Sequence, residues 1–395
     1  MQTKISAGLL LVASSITYAA ELKMPSFKAA DVDTKVEIGY GLAIADVNGD
    51  KKPDILLADK NLIVWYENPS WTKHIIAEKL TQLDHVCIAA MDIDGDGKAE
   101  VAAGAGWNPG DTINSGAVFY LIPPADRTQK WEPVPLHHEP TVHRMRWVKN
   151  QEGQYDLIVA PLHGRGNKNG QGDGAKILAY KKPANPKEEW KTEVLDDSLH
   201  MTHNFDPVQW DKDPAQELLI GSKEGTFLLD RSGSKPTKKQ LGGNEGGGAG
   251  EVRLGKLPNG KRFFATVEPM HGTTLAVYSE PDSSSADGLW SRKVLDSSLA
   301  DGHAVACADL AKSGSDQVVV GWRAMNKPGT RVGIKLFAPK DRDGTEWAQM
   351  MVDDNGMACE DLTVADLDGD GKLDIIAAGR ATKNLKVYWN QGVRQ

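Results

Sequence analysis

The sequence has few cysteines, with only three in 395 residues. So small a number excludes the disulfide framework that holds together many small secreted domains. Cys87, Cys307 and Cys359 each lie in or beside an apolar, strand-like run, so we predict that they are buried free thiols. A Cys307–Cys359 bridge stays open as an alternative, without positive support from the sequence.

Positive charge is also scarce, because 46 lysines and arginines face 54 aspartates and glutamates, for a formal net charge of −8. No basic patch stands out, which argues against a nucleic acid as partner. The net negative charge gives no long-range attraction for an acidic polymer. An anionic substrate would therefore need positive charge close to its binding site.

Long hydrophobic runs are absent, and the one short run near the start belongs to the segment MQTKISAGLLLVASSITYAA. This segment has a basic start at Lys4, an apolar run from Ile5 to Val12 and small residues before Glu21. The run is too short to span a bilayer, and the pattern is typical of a secretory signal peptide. We predict a signal peptide over residues 1–20 and a mature protein, residues 21–395, that is periplasmic or secreted, has no membrane span and is a monomer.

Helix-period apolar stretches are scarce too, whereas glycine is frequent at 40 residues, a combination that favours short strands joined by turns. Seven apolar-aromatic runs, such as LIVWYENP from Leu62 and LKVYWNQG from Leu385, each follow another apolar strand. A tryptophan-led strand comes after most of them, but the seventh unit has none, and the segment from Pro25 to Val36 is the predicted substitute. This all-β pattern predicts a single seven-bladed β-propeller whose last blade is completed by an N-terminal strand. A β-solenoid, the alternative, would not need that strand.

Three units carry an acidic loop between their first two strands, with the sequences DVNGDKKPD, DIDGDGKAE and DLDGDGKLD. Side-chain oxygens at loop positions one, three, five and nine, with a backbone carbonyl at position seven, suit a hard cation such as Ca²⁺. The predicted structural calcium ligands are Asp46, Asn48, Asp50, Asp54, Asp92, Asp94, Asp96, Glu100, Asp366, Asp368, Asp370 and Asp374. The corresponding loops of units four to six have lost this pattern, and we do not expect them to bind metal in this way.

These loops make the chain resemble the FG-GAP/VCBS repeat proteins, whose blades carry D-x-D-G-D-G-x-x-D hairpin loops. The resemblance covers essentially the whole mature chain. It implies that calcium ties together the first two strands of a blade. It identifies a repeat and not an activity.

Four histidines begin the first strand of a unit, and they are His85, His143, His203 and His303. The first strand of a propeller blade lines the central channel, so these side chains should meet at one mouth of the channel, with the acidic loops at the opposite face. The connections between second and third strands return to the histidine face. They add Trp107, His163, Arg165, His271, Trp322, Arg323 and Arg380 to the candidates, and Glu360 and Asp361 begin the first strand of the last unit.

Each of these residue types also has a structural interpretation. A single histidine at such a place is more often a hydrogen-bonded structural residue than a catalyst, whereas several that converge favour a functional site. Trp107 and Trp322 could cover hydrophobic surface, or an indole beside polar groups could stack on the face of a sugar.

Histidines and arginines around one cavity suit proton transfer on a carbohydrate, with an arginine or a cation to offset charge on a carboxylate or enolate. This combination predicts β-elimination. No carboxylate pair dominates the mouth, as a retaining glycosidase would require, and no G-x-S-x-G nucleophile motif occurs. The predicted catalytic residues are His85, His143, His163, His203, His303, Arg323 and Arg380, and the predicted substrate-binding residues are Trp107, Arg165, His271 and Trp322.

The run HVCIAAMDIDGDGKAEV, followed by GWNPG and VHRMRW, is similar to single-propeller FG-GAP/VCBS carbohydrate enzymes. Those include the rhamnose–glucuronate lyases, and the propeller part of aldos-2-ulose dehydratase is similar. The resemblance implies elimination across a sugar ring, with a histidine acid or base and a further divalent cation at the mouth. No segment of the sequence is expected to form the dehydratase's cupin-like region. We predict an exported lyase that acts on a uronic-acid-containing glycan, with a non-catalytic glycan- or protein-binding propeller as the alternative.

Overall fold

The computed structural model of the protein describes residues 24–282, 288–325 and 329–393. The predicted signal peptide, residues 1–20, lies outside the described residues. Within the three described ranges every regular element is a β-strand. No helix in these ranges is long and apolar enough to cross a membrane.

The strands form seven four-stranded sheets, and each sheet is one blade. Strand β1 (Pro25–Asp33) precedes the first blade and belongs to the last. Blades one to three consist of β2 (Gly41–Ala45), β3 (Asp54–Ala58), β4 (Leu62–Glu67), β5 (Thr72–Glu78), β6 (Cys87–Met91), β7 (Glu100–Ala105), β8 (Ala117–Ile122), β9 (Glu132–Leu136), β10 (Val142–Lys149), β11 (Tyr155–Pro161), β12 (Ile177–Lys181) and β13 (Lys191–Asp196). Blades four to seven consist of β14 (Thr202–Val208), β15 (Glu217–Ser222), β16 (Gly225–Asp230), β17 (Thr237–Gly242), β18 (Glu251–Lys256), β19 (Arg262–Glu268), β20 (Thr274–Ser279), β21 (Ser291–Asp296), β22 (Gly302–Ala308), β23 (Gln317–Trp322), β24 (Gly333–Pro339), β25 (Trp347–Asp354), β26 (Cys359–Ala365), β27 (Asp374–Gly379) and β28 (Asn384–Val393).

The last blade is closed by the N-terminal strand. Its order is β1-β28-β27-β26, and β1 runs antiparallel to β28 with Ala29 opposite Tyr388. Pairing with β1 covers the backbone N–H and C=O groups that β28 would otherwise expose as a free edge. The seven-bladed propeller and the N-terminal completion of its last blade are both confirmed.

The hydrophobic core lies between neighbouring blades. Leu56 and Trp65 of blade one, for example, pack in one cluster with Val101 of blade two. The second strands are the most buried, and every residue of β3 and β27 is inside. The outer strands face water, but Trp131 and Trp190, which come just before two of them, are buried. The indoles therefore anchor exposed outer strands to the core.

All three cysteines are free, with Cys87 and Cys359 buried and Cys307 half-buried. The prediction of free thiols is confirmed, and no Cys307–Cys359 bridge forms.

The first strands fix the positions of the two groups of polar residues. The acidic loops join the first and second strands of blades one, two and seven. His143, His203 and His303 lie at the other ends of first strands, each as the second residue of β10, β14 or β22. Because the two ends of a strand point to opposite faces of a propeller, the loops and these histidines lie on opposite faces.

Candidate active site

Four side chains at the starts of first strands occupy equivalent β-bulges. His143, His203, His303 and Glu360 each lie where the pairing of the first strand with the second shifts in register. A bulge leaves one residue unpaired and turns its side chain out of the regular alternation. The bulges bring these residues together at one mouth of the central channel, where the rings of His143 and His203 are 4.5 Å apart.

Each bulged histidine is tied to the next blade through its Nδ1 atom. His143 Nδ1 donates to the carbonyl of His203 at 2.7 Å, and His203 Nδ1 donates to that of Gly250 at 3.0 Å. His303 Nδ1 donates to the carbonyl of Glu360 at 2.5 Å. Because a carbonyl oxygen can only accept, the proton lies on Nδ1 and a lone pair is left on Nε2. The backbone thus fixes the tautomer in which an imidazole ligates a metal through Nε2.

A further histidine, His271, reaches the same place from the loop between β19 and β20. Its Nε2 lies 2.8 Å from Nε2 of His203, and its ring centroid lies 4.6 Å from that of His303. These three histidines each offer one ring nitrogen, and the three nitrogens lie within 4.8 Å of one another. Three imidazoles with an open fourth position form a ligand set of catalytic zinc sites.

Charged side chains beside the histidines pair with one another. Arg323 donates to Glu360 at 2.6 Å and to Asp301 at 2.9 Å. Arg380 donates to the other carboxylate oxygen of Glu360 at 3.0 Å. Glu360 is only 1% exposed, so both arginines depend on one buried carboxylate for their position.

Three more side chains complete a cavity of about 190 Å³ at this mouth. Arg144 donates to Nε2 of His143 at 3.2 Å, and the indole of Trp107 stacks on the His143 ring at 4.8 Å between centroids. The phenol of Tyr40 donates to Asp84 at 2.9 Å. The residues that line the cavity are Tyr40, Trp107, Pro109, His143, Arg144, His271, His303, Arg323, Glu360 and Arg380.

A larger cavity, of about 400 Å³, lies further along the channel toward the acidic loops. Arg146, Asp206, Arg253 and Asp361 are its charged lining residues, and none of its lining residues is a histidine. Asp361 was expected at the histidine mouth, but its Oδ2 accepts the backbone N–H of Leu42 inside this second cavity. The smaller cavity is the better candidate because it alone combines imidazoles with arginines and an indole.

The four histidines of the mouth are neutral at physiological pH. Burial, followed by the positive charge of Arg144, holds the pKa of His143 well below its usual range, and burial and Arg323 do the same for His303. Burial also lowers the pKa of His203, and it lowers that of His271 to about 2. Neutral imidazoles suit metal ligation, but with so low a pKa they are weak bases until an anion binds.

The structure does not bring two predicted catalytic histidines into this cavity. His85 is fully buried, and its Nε2 accepts the backbone N–H of Leu80 at 3.1 Å. It precedes β6, whose pairing with β7 contains no bulge, so nothing turns the ring toward the channel. His163 is half-buried outside the cavity, where its backbone N–H donates to Thr141.

Two predicted substrate-binding residues also lie elsewhere. Arg165 pairs with Glu139 at 3.4 Å and donates to the carbonyl of Ile113. Trp322 is 6% exposed and packs in the core, with its Nε1 donating to the carbonyl of Arg331 at 2.7 Å. Trp322 therefore fits the interpretation in which the indole covers hydrophobic surface, because an indole so enclosed offers no face to a sugar.

The sequence-based prediction missed four residues of this mouth, namely Tyr40, Asp84, Arg144 and Asp301. Tyr40 lies six residues before Asp46, which begins its acidic loop, just as the bulged Glu360 lies six residues before Asp366. A comparison of equivalent repeat positions would have found it. No repeat pattern marks Asp301, whose role follows from its contact with Arg323.

On the opposite face, the acidic loops share one backbone arrangement. Their first aspartates accept N–H groups from loop positions four and six, as Asp46 does from Gly49 and Lys51. Carboxylate oxygens of Asp92, Asp94 and Asp96 lie within 4.8 Å of one another, as do those of Asp366, Asp368 and Asp374. At the ninth loop position, Asp54 accepts the backbone N–H of Val47 and Glu100 accepts that of Ile93. The other predicted ligands contact side chains: Asn48 donates to Glu67, Asp50 pairs with Lys52, and Asp370 pairs with Lys372. Calcium in these loops stays a prediction.

The loops predict a pH-dependent calcium effect. Burial raises the pKa of Asp54 and Asp374 to about 6 and that of Glu100 to about 7. Because these values exceed those of the unfolded chain, protonation stabilises the metal-free fold at low pH, and this stabilisation is lost as pH rises through about 6 to 7. Ca²⁺ needs the deprotonated carboxylates, so the rise in melting temperature that Ca²⁺ causes should grow over the same pH range. Thermal melts with Ca²⁺ or a chelator check this, and a Ca²⁺ effect independent of pH would contradict it.

Comparisons with known proteins agree with the repeat and the fold. The family model for the β-propeller domain of aldos-2-ulose dehydratase matches residues 115–281, and that for an FG-GAP-like repeat matches residues 46–103. The resemblance predicted from the sequence is confirmed. The longer match contains His143, His203 and His271, so much of the histidine mouth lies in the part related to a sugar-processing enzyme family. No curated protein sequence matched the chain.

Solved structures give the fold and nothing finer. A chain of the mitotic checkpoint complex is similar at a TM-score of 0.58 and 12% identity, over 98% of this chain and 99% of that one. A lectin of Agrocybe aegerita, described as recognising non-reducing terminal N-acetylglucosamine, is similar at a TM-score of 0.48 and 11% identity, over 93% of this chain and 86% of that one. At such an identity the first likeness shows a shared fold alone.

Proposed function

We propose that the protein is an exported carbohydrate-active lyase that performs metal-assisted β-elimination on a uronic-acid-containing sugar or glycan. The observation that carries this proposal is the convergence of His203, His271 and His303 at the channel mouth, beside two paired arginines. The relation of the propeller to a sugar-processing family supports the substrate class. Export rests on the signal-peptide pattern of residues 1–20.

The three histidines fit a divalent cation. His203 and His303 present Nε2 lone pairs, because their Nδ1 protons are held by backbone carbonyls. Arg323 donates to Nδ1 of His271 at 3.3 Å, so the imidazole proton lies on Nε2, which donates to Nε2 of His203 at 2.8 Å. A cation would have to displace that proton to Nδ1, which lies 3.8 Å from Asp301, for Nε2 to become a third ligand. Zinc and other ions that prefer imidazole are the expected occupants. Such an ion would supply Lewis-acid stabilisation of the charge that develops on the substrate's carboxylate.

The charge at the mouth favours an anionic substrate once a cation is bound. The charged groups are three arginines, Arg144, Arg323 and Arg380, and four carboxylates, Asp84, Glu251, Glu360 and Asp301. Their formal charges sum to −1, so a divalent cation would give the mouth a net positive charge. A uronate carboxylate carries the complementary charge.

His143 is the base in this proposal, because it lines the cavity and is not one of the three ligands. A substrate carboxylate would offset the charge of Arg144 and raise the pKa of His143 toward the working range. His143 Nε2 would then take the proton from the carbon next to the carboxylate. A carbon–carbon double bond forms, and the carbon–oxygen bond to the leaving group breaks.

Tyr40 is the group proposed to protonate the leaving oxygen. Its phenol lines the cavity and donates to Asp84 at 2.9 Å. Burial, and then the charge of Asp84, raises the pKa of Tyr40, so that the phenol keeps its proton at working pH. A rotation of this O–H from Asp84 to the leaving oxygen would complete the elimination.

A non-catalytic glycan-binding propeller is the second candidate, and Trp107 is the observation that favours it. The indole is half-buried at the rim and rests on the ring of His143, so it offers a flat apolar surface beside polar groups. Stacking on a sugar would need neither a base nor a cation.

Turnover separates the two candidates. Purified protein, with Zn²⁺ and after metal removal, is incubated with a panel of uronate glycans while absorbance of the unsaturated product is followed. Product that depends on the metal is expected for at least one glycan. No product from any of them, with glycan binding retained, would overturn the enzymatic proposal.

A further inference from the structure

The larger cavity, of about 400 Å³ at the acidic-loop end of the central channel, has no role in the proposed function. The first strands of all seven blades line it, and its charged lining residues are Arg146, Asp206, Arg253 and Asp361. None of them belongs to the histidine mouth. A ligand in this cavity can therefore be tested independently of the proposed elimination.

A layer of buried polar side chains separates this cavity from the histidine mouth. Asn204 donates to Oε2 of Glu251 at 2.7 Å, and a guanidinium nitrogen of Arg144 lies 3.9 Å from Oε1 of the same carboxylate. These three side chains belong to residues that are between 1% and 4% exposed. Arg144 comes between His143, at the mouth, and Arg146, in the larger cavity, along one strand. A ligand would therefore enter the larger cavity from the acidic-loop face.

Arg146 uses few of its hydrogen-bond donors within the protein. Its Nη1 donates to the carbonyl of Met145 at 2.7 Å, and among the described residues no carboxylate lies within 4.0 Å of its guanidinium. Arg253, in the same cavity, donates to the carbonyl of Val252 and lies 3.9 Å from Glu251. Burial, followed by the positive charge of Arg253, lowers the pKa of Arg146 to about 10. Because a guanidinium has five N–H donors, most of those of Arg146 are left for an anionic ligand, whose charge would stabilise it.

Two carboxylates of the cavity can accept further hydrogen bonds. Asp206 Oδ2 accepts the backbone N–H of Leu254 at 3.0 Å. Asp361 accepts the backbone N–H groups of Leu362 at 3.0 Å and Leu42 at 2.8 Å. Neither carboxylate has a lysine or arginine nitrogen within 4.0 Å in the described part of the chain. A carboxylate oxygen has two lone pairs, so both groups can still accept from hydroxyls of a ligand.

The groups of the cavity complement a molecule that carries one carboxylate and several hydroxyls. A carboxylate matches the planar fork of a free guanidinium, and hydroxyls match the carboxylates. Met91 and Leu254 add apolar lining for the carbon skeleton, and the volume is within the range of small-molecule pockets. We propose that this cavity binds a small hydroxy acid of the sugar-acid class, with its carboxylate on Arg146 and its hydroxyls on Asp206 and Asp361.

Cys307 can report on a ligand in this cavity. It is a half-buried lining residue, and its thiol contacts the carbonyl of Arg253 at 3.6 Å. Cys87 and Cys359 are buried and do not line the cavity, so Cys307 should be the cysteine that iodoacetamide alkylates in the folded protein. Peptide mass spectrometry gives the rate. Glucuronate at about ten times its Kd should slow the alkylation about tenfold. Glucose lacks the carboxylate and acetate lacks the hydroxyls, so each should protect less at the same concentration.

Variants of the full chain locate the site. Arg146→Gln should abolish protection by glucuronate, whereas Arg331→Gln, a matched change of an exposed arginine, should keep it. His271→Ala changes the histidine mouth and should also keep it, whatever its effect on elimination. Thermal melts check folding, and if Arg146→Gln does not fold, the comparison of glucuronate with glucose in the parent protein decides. The proposal would be overturned by an alkylation rate that glucuronate leaves unchanged, by equal protection from glucose, or by protection that persists in Arg146→Gln or is lost in His271→Ala.

Discussion

Replacement of His271 by alanine is expected to remove the mouth metal and to lower turnover at least about 100-fold. His271 offers one of three ring nitrogens that lie within 4.8 Å of one another, so its loss leaves two imidazoles. The side chain is 40% exposed and comes from a loop, so the fold should tolerate the change. Zinc content after dialysis and kcat on the active glycan measure the two effects.

His303→Ala should give the same double loss, since it removes a ligand fixed by the backbone of Glu360. His137→Ala is the matched control, because this exposed histidine lies at the end of an outer strand and should alter neither quantity. Full zinc content and full turnover in His271→Ala would refute the three-histidine centre. Lost turnover with full zinc content would instead assign His271 to the substrate.

The fold could be predicted because every unit repeats the same packing requirement. Each blade needs a buried second strand, an apolar-aromatic third strand and an outer strand anchored by a large side chain, and the sequence repeats that order. The seventh unit supplies β26, β27 and β28, and β1 from the N-terminal part of the chain covers the outer edge of β28.

The site could be predicted only in part, because strand position does not settle where a side chain points. The repeats placed His143, His203 and His303 at the mouth, and the structure brings their rings together. His85 has nearly the same place in blade two but lies outside a bulge. A shift of one residue turns a side chain to the other face, and a bulge is such a shift. Its presence depends on pairing with the second strand, which composition alone does not reveal.

Loop residues were the least predictable. Trp107 and Trp322 both lie at the end of a second strand or just beyond it, yet one indole reaches the rim and the other enters the core. Arg165 and Arg323 both follow second strands, but their ion-pair partners decide where each guanidinium lies. Arg165 pairs with Glu139, whereas Arg323 pairs with Asp301 and Glu360. Such partners come from other parts of the chain, so a local pattern cannot identify them.

Glu360→Ala is expected to destabilise the protein by about 3 to 5 kcal/mol. The carboxylate is 1% exposed and accepts from Arg323 at 2.6 Å and from Arg380 at 3.0 Å. Its removal leaves Arg323, a largely buried guanidinium, with Asp301 as its remaining carboxylate partner. An unbalanced buried charge costs more than the loss of one surface contact. Denaturant unfolding monitored by tryptophan fluorescence measures the change.

Asp354→Asn provides the comparison, because Asp354 and Arg331 form an ion pair at 2.8 Å with both side chains more than half exposed. Water screens that pair, so the change should be within about 1 kcal/mol of zero. Glu360→Gln separates charge from shape, since the amide keeps the volume but sets an N–H group against one of the two arginines. The loss of unfolding free energy in Glu360→Gln should be most of the loss in Glu360→Ala. The zinc content should stay high, because the backbone carbonyl of residue 360, which holds His303, is retained. A Glu360→Gln variant as stable as the parent protein would contradict this prediction. The positions of Arg323 and Arg380 would then depend on their other contacts and not on the charge of Glu360.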